Sequence, residues 1–193
     1  PSQHGRYWSQ QIQLGSYEIK PYQFKYKPFW ENLSEAGYRV TLIDSPEAPL
    51  SKLPNSIEII EKPKGDQSLS FQSHPAALAQ EIEQKFGRTP IGSLRSTGRS
   101  LGDIERFREN LIASIDQKTK IIQYFLDKND WDVMLTSFRE SHWIGHQCWH
   151  LLDPKHPEYD EEIAKTLGNP IKDIYIYIDD ALGQILQKIG TSA

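Results

Sequence analysis

The sequence predicts an α/β protein, a mostly parallel sheet flanked by helices. Three stretches predict it. "PFWENLSEAGYRVTLIDSP", residues 28–46, reads as helix, glycine, strand, which is half of a parallel unit. A long helical pattern runs from about Gly102 to Lys128. "WDVMLTSF", residues 131–138, then reads as a strand apolar on both faces, as strands inside parallel sheets are.

The elements follow in order. Residues 1–27 are polar and aromatic with weak periodicity and read as loop. Pro28 suits the first turn of a helix, and Gly37 suits its left-handed stop. Val40, Leu42 and Ile43 make the strand, which Pro46 ends. "NSIEIIEKP", 55–63, is expected as a second, short strand. "HPAALAQEIEQKFG", 74–87, is expected as a helix with Pro75 at its start and Gly87 at its end. Breakers crowd residues 88–102, which read as loop. In the long helix Ile104, Phe107, Leu111, Ile115, Ile122 and Phe125 keep helical spacing, and Asp103 suits a cap. "DPKHPEYD" reads as a turn-rich loop. Ile174, Ile178, Leu182, Ile185 and Ile189 give the last segment helical spacing, although its "IYIYI" also fits a strand.

Composition narrows the function classes. The 193 residues suffice for one domain with a core. A net charge of −4 without a basic stripe argues against a nucleic-acid polymer as partner. One Cys rules out an internal disulfide framework and fits a reducing compartment, so a cytoplasmic location is expected. No apolar run reaches the roughly 18 residues of a membrane span. No signal peptide is read at the start. The chain opens on Pro1 rather than Met, and a cut end is the expectation.

"ESHWIGHQCWH", Glu140 to His150, holds three of the six His, at 142, 146 and 150. It follows the strand at 131–138, and open α/β sheets bind ligands beyond the carboxyl ends of their strands. His at i and i+4 share one helix face, and two imidazoles so spaced can hold one zinc-class ion. The peptidase pattern H-E-x-x-H is absent, because Trp143 stands where its Glu would be. Taken alone, the pair is read equally well as a capped or core-edge histidine pair.

Residues 131–159 resemble the type I phosphodiesterase/nucleotide pyrophosphatase branch of the alkaline phosphatase superfamily. That family carries a strand, then Asp-x-x-x-His with Gly often before the His, then an aromatic stretch. Gly145-His146 matches, and His142 occupies the Asp position. An Asp-to-His exchange keeps a ligand and changes metal preference. "FWENLSEAGYRVTLIDSPEAP" resembles the family's helix–strand segment ending in Asp-x-Pro, here Asp44 to Pro46. "HGRY" at His4–Tyr7 resembles the His-Gly after its nucleophile, and "YIYIDDALGQIL" resembles a helix with Asp179 and Gly183 in matching places.

The resemblance implies an alkaline phosphatase-like fold, incomplete in this chain, with residues 50–100 as a small cap or insertion in one domain spanning 1–193. It implies the central portion of a metal-dependent hydrolase of phosphate esters, without its nucleophile and part of its metal site, and inactive by itself. The family's ligands map onto His142 and His146. Two divalent ions are implied for the complete enzyme, zinc first, with manganese or iron as alternatives. The expected substrate is a small phosphate ester or nucleotide. Glu140, His150, Trp143 and His4 are expected to orient a ligand or face substrate. Each has a plainer reading: Glu140 as an exposed strand-end carboxylate, Trp143 and Trp149 as wall, His150 as helix surface. Cys148 reads as a buried small hydrophobe rather than a nucleophile. The alternative function is a non-catalytic metal-binding or substrate-capping module. A third reading is an interaction domain without metal. A strand edge left open would invite association, so an oligomer is also expected.

Overall fold

The structure is a computed structural model that describes residues 10–12, 19–21, 27–45, 50–63, 69–91, 100–128 and 130–190. Its centre is a four-stranded sheet. In chain order the elements are β1 (Gln10–Ile12), β2 (Ile19–Pro21), α1 (Phe29–Glu35), β3 (Val40–Ile43), β4 (Ser56–Pro63) and β5 (Leu69–His74). Then come α2 (Leu78–Phe86), α3 (Leu101–Lys128), β6 (Val133–Thr136), α4 (Glu140–Cys148), a 3-10 turn (Trp149–Leu151), α5 (Glu161–Leu167) and α6 (Pro170–Gly190). The sheet order is β5-β4-β3-β6. β3 runs parallel to β4 and to β6, and β5 is antiparallel to β4. The chain is therefore α/β with a mixed, mostly parallel sheet flanked by helices.

Local chemistry explains most boundaries. Gly37 adopts φ 93° just past α1, a conformation that suits glycine, so the chain turns there into β3. All four residues of β3 are buried, as befits a strand with neighbours on both sides. The Ser100 hydroxyl accepts the Asp103 N–H (3.3 Å) and donates to its carboxylate (2.5 Å), so Ser100 rather than Asp103 starts α3. Asp160 caps α5 by accepting two backbone N–H groups at 3.0 and 2.9 Å. Asn169 accepts the Lys172 N–H (2.9 Å) and Pro170 takes the first turn of α6.

Two apolar clusters hold the layers together. Ile43 and Ile59 of the sheet meet Leu78 and Ile82 of α2 and Ile121, Ile122 and Phe125 of α3. The first half of α3 packs through Phe107, Leu111 and Ile115 against Ile144, Leu151, Leu167 and Ile174 of the later helices.

Several expectations change. Residues 10–12 and 19–21 pair as a short antiparallel hairpin within the stretch read as loop; three-residue strands leave almost no periodicity to detect. β5 and α5 were not expected, because six and seven residues carry a weak pattern. α2 begins at Leu78, after a turn that contains the cis His74–Pro75 bond. The segment expected as a cap, 50–100, supplies β4 and β5 of the central sheet and α2 behind it; residues 92–99 lie outside the described ones. β6 was expected to be buried on both faces. It is half-buried and lies at the sheet edge, because among the described residues it pairs only with β3. No helix among the described residues is long and apolar enough to cross a membrane.

Phe125 is 1% exposed where α3 meets the sheet. Phe125→Ala is expected to lower the unfolding free energy by about 3–5 kcal/mol in urea titrations. A loss below about 1 kcal/mol would show that this contact does not hold helix to sheet.

Candidate functional site

The parallel register sets the carboxyl ends of β3 and β6 level, with Ile43 opposite Thr136. Asp44 follows β3 and Ser137 to Arg139 follow β6, so their side chains meet beyond the same sheet edge. Asp44 sits at φ 57°, in the left-handed region, and its N–H donates to the Ile59 carbonyl at 2.7 Å. Its carboxylate is buried. It accepts from Lys118 Nζ (2.7 Å) and from Arg139 through Nε (3.0 Å) and Nη2. The Ser137 hydroxyl donates to the Asp44 carbonyl. Arg139 Nη2 also reaches the Glu61 carbonyl (3.0 Å), and the guanidinium lies 4.9 Å over the Trp143 ring.

Lys118 rises from α3 into the middle of this group. It donates to the Ser137 carbonyl (3.2 Å) and lies 2.9 Å from Glu140 Oε1. Glu140, fully buried, also accepts from the Ser114 hydroxyl at 2.8 Å. Burial disfavours the lysine's charge, but Asp44, Glu140 and Glu61 outweigh it and hold its pKa above the ordinary value. Glu61 on β4 completes the cluster. Burial raises its pKa, against the pull of Lys118, and the Asp44 charge raises it further. Its Oε2 has no hydrogen-bond partner and lines a cavity of ≈ 10 Å³ beside Asp44, Gln117 and Lys118, room for about one water.

α4 divides the predicted residues between two faces. Glu140, Ile144 and Cys148 point inward, while His142 and His146 are exposed on the opposite face. The two rings are adjacent, with centroids 4.4 Å apart and planes at 87°. A Cβ added at Gly145 would meet nothing within 4 Å among the described residues. Glu140 belongs to the buried ion cluster and makes no hydrogen bond to either ring. His150 leaves the row, because the 3-10 turn carries it inward; it is buried, with its ring 6.0 Å from that of His156. Trp143 is half-buried under Arg139, and Trp149 is 61% exposed. Burial pushes the Cys148 thiol up to about 12, which removes it as a nucleophile. His4 lies outside the described residues. Among the described residues no group of three or more His, Cys, Asp or Glu is gathered to hold a metal, so the histidine pair is a two-donor set.

Lys118, Arg139 and Glu61 were not singled out in the sequence. One signal was there for Lys118: it falls in the stripe Leu111, Ser114, Ile115, Ile122 that α3 buries. A lysine on the apolar face of a helix needs a buried counter-charge. Glu61 is masked by the mixed "IEIIEKP" context, which reads as a solvated face.

No family model, curated protein or solved structure matches the chain.

Glu61 makes stability depend on pH. The folded state holds its proton more tightly than the unfolded chain does, so the stability present below the ordinary glutamate range is lost as pH rises through the raised folded value. Between about pH 4 and pH 8, wild type should lose more stability than Glu61→Gln, which keeps the shape without the charge. Parallel thermal-unfolding curves would mean that Glu61 ionises as freely as in the unfolded chain. Lys118→Met leaves buried Glu140 without a cation, with only the Ser114 hydroxyl, and Asp44 with Arg139 alone, and should cost about 3–5 kcal/mol by denaturant titration. A cost within about 1 kcal/mol would show that the carboxylates find other partners.

Proposed function

We propose that the chain serves a metal-dependent hydrolase of phosphate esters, with His142 and His146 as one pair of ligands to a divalent ion. One observation carries the reading. Two exposed imidazoles stand side by side on a helix that begins just beyond the carboxyl end of a parallel strand. The resemblance of residues 131–159 to the phosphodiesterase/nucleotide pyrophosphatase branch supports the same pair and an alkaline phosphatase-like arrangement.

The donor set fits a zinc-class ion in part. Imidazole nitrogens suit zinc, and i, i+4 spacing lets two of them share an ion. Four-coordinate zinc needs further donors, which in this reading come from beyond the described residues. The ion would supply Lewis acidity toward a phosphoryl oxygen. The chain's own residues do the positioning. Glu140, pinned by Lys118 and Ser114, fixes the rotation of α4 and hence the direction of both rings. Trp143, held against Arg139, offers a flat wall on the same helix that suits a small ester or nucleotide. The single Cys and the absence of a basic stripe support a cytoplasmic protein acting on small molecules.

The two-donor set also favours a second reading, a metal-binding or substrate-capping module without catalysis. Zinc titration of the chain against a competing chelator tests both. Binding should be lost by at least tenfold in His142→Ala and in His146→Ala. Unchanged binding in both variants sinks the metal reading. In the complete parent enzyme, loss of metal-dependent phosphodiester turnover with His142→Ala or His146→Ala supports the hydrolase, and wild-type turnover in both variants leaves the module.

A further inference from the structure

We propose that the flank formed by β6 and α6 is a two-fold interface with a second copy of this chain. Among the described residues nothing pairs with the outer edge of β6, and that edge motivates it. Val133 and Ser137 direct their N–H groups to β3, at 3.1 Å from the Arg39 carbonyl and 3.3 Å from that of Ile43. In a parallel pair alternate residues face opposite sides, so Met134 and Thr136 turn their backbone N–H and C=O groups outward. Exposed edges in natural sheets are blunted by Lys, Pro or a bulge. Val133-Met134-Leu135-Thr136 has none of these and reads as a strand with neighbours on both sides.

α6 shares an apolar cluster with β6 and carries exposed apolar side chains. Its inner face carries Ile174, Ala181 and Ile185, and Ile185 joins the cluster that includes Met134 and Trp131. Tyr177, Asp180 and Gln184 turn toward α3, where they line a groove with Glu109, Ile112 and Asp116. The side away from α3 carries a stripe of Tyr175, Leu182, Leu186 and Ile189, exposed by 58, 44, 67 and 43%. With half-buried Ile178 added, the stripe is a palindrome. Tyr175 and Ile189 lie seven residues either side of Leu182, and Ile178 and Leu186 lie four either side. An antiparallel helix pair with its two-fold axis at Leu182 sets Tyr175 against Ile189 and Ile178 against Leu186.

One axis perpendicular to the sheet produces both contacts. It pairs β6 with its mate antiparallel and lays α6 against its mate antiparallel, giving an eight-stranded sheet from two four-stranded ones. The area is of the right order. Four large side chains at roughly 100 Å² each give about 800 Å² over two copies, and the strand edges bring the total to the ~1,000 Å² a specific interface needs. A second copy is favoured over an unrelated partner because the stripe matches itself.

Sedimentation velocity of the full chain at micromolar to tens-of-micromolar concentration tests this. The expected species has twice the 22.3 kDa monomer mass. Leu182→Glu, on the exposed helix face, and Thr136→Pro, which removes only an outward N–H, should each weaken the dimer at least tenfold with the circular dichroism unchanged. Leu182→Cys should form a disulfide with its mate on mild oxidation, and Tyr175→Cys, facing Ile189, should not. A chain that stays monomeric throughout overturns the proposal and leaves the flank to another occupant. So does a dimer indifferent to both variants, or one crosslinked by Tyr175→Cys and not by Leu182→Cys.

Discussion

The architecture turns on one buried ammonium group. Lys118 is 5% exposed and touches the ends of two strands and the start of a helix through Asp44, the Ser137 carbonyl and Glu140. Removing such a charge from water costs several kcal/mol, and only well-placed partners repay it. That makes the cluster a poor source of net stability and a demanding test of geometry. α3 cannot slide by a turn without stranding the lysine. β3 and β6 must end level, or Asp44 and Ser137 do not meet. α4 must begin with Glu140 turned inward. Arg139 adds a second clamp, because its guanidinium joins Asp44 to the Glu61 carbonyl and so ties three strand ends together.

The exposure of the histidines follows from that constraint. Once Glu140 is inward, a helix of 3.6 residues per turn sends Ile144 and Cys148 inward as well and puts residues 142 and 146 on the outside. The charged cluster and the histidine pair are therefore two faces of one helix. The inner face is buried, and its Glu140 is bonded to Lys118 and Ser114. The outer face is open, with nothing among the described residues within 4 Å of a Cβ added at Gly145. A ligand-holding pair gains from this division, because rings on a fixed helix lose less freedom on binding than rings on a loop.

Much of the fold was legible because periodicity carries it. The 28 residues of α3 repeat one apolar stripe often enough to be read without doubt of type, and β3 announces itself between Gly37 and Pro46. β5, α5 and the hairpin of β1 and β2 are too short to carry a period. The histidine pair was legible from i, i+4 spacing alone. The fate of His150 was not, since a 3-10 turn advances the chain by 120° per residue and breaks the row after Cys148. The ion cluster was the hardest part to read. Asp44, Glu61, Lys118 and Glu140 lie far apart in the chain, and only the tertiary fold brings them together. Glu140 in particular stands next to the histidines in sequence and on the far side of the helix from them in space.

The two edges of the sheet are chemically unlike. β5 alternates apolar and polar over Leu-Ser-Phe-Gln, ends in Ser-His and runs antiparallel, the pattern of a strand that meets water on one side. β6 is parallel, and its first three residues are apolar whichever face they take. Selection for solubility alone would place a charge or a proline on such an edge, because a bare apolar strand pairs readily with others. The residues that flank it are polar instead: Asp130 and Asp132 bind Arg39 at one end, and Arg139 is held by Asp44 at the other. Both ends are anchored within the chain, while among the described residues the outward backbone groups of Met134 and Thr136 between them meet no strand. The strand is thus held in register with β3, and among the described residues its outward hydrogen-bonding groups are unspent, which is the condition of a strand prepared for a neighbour.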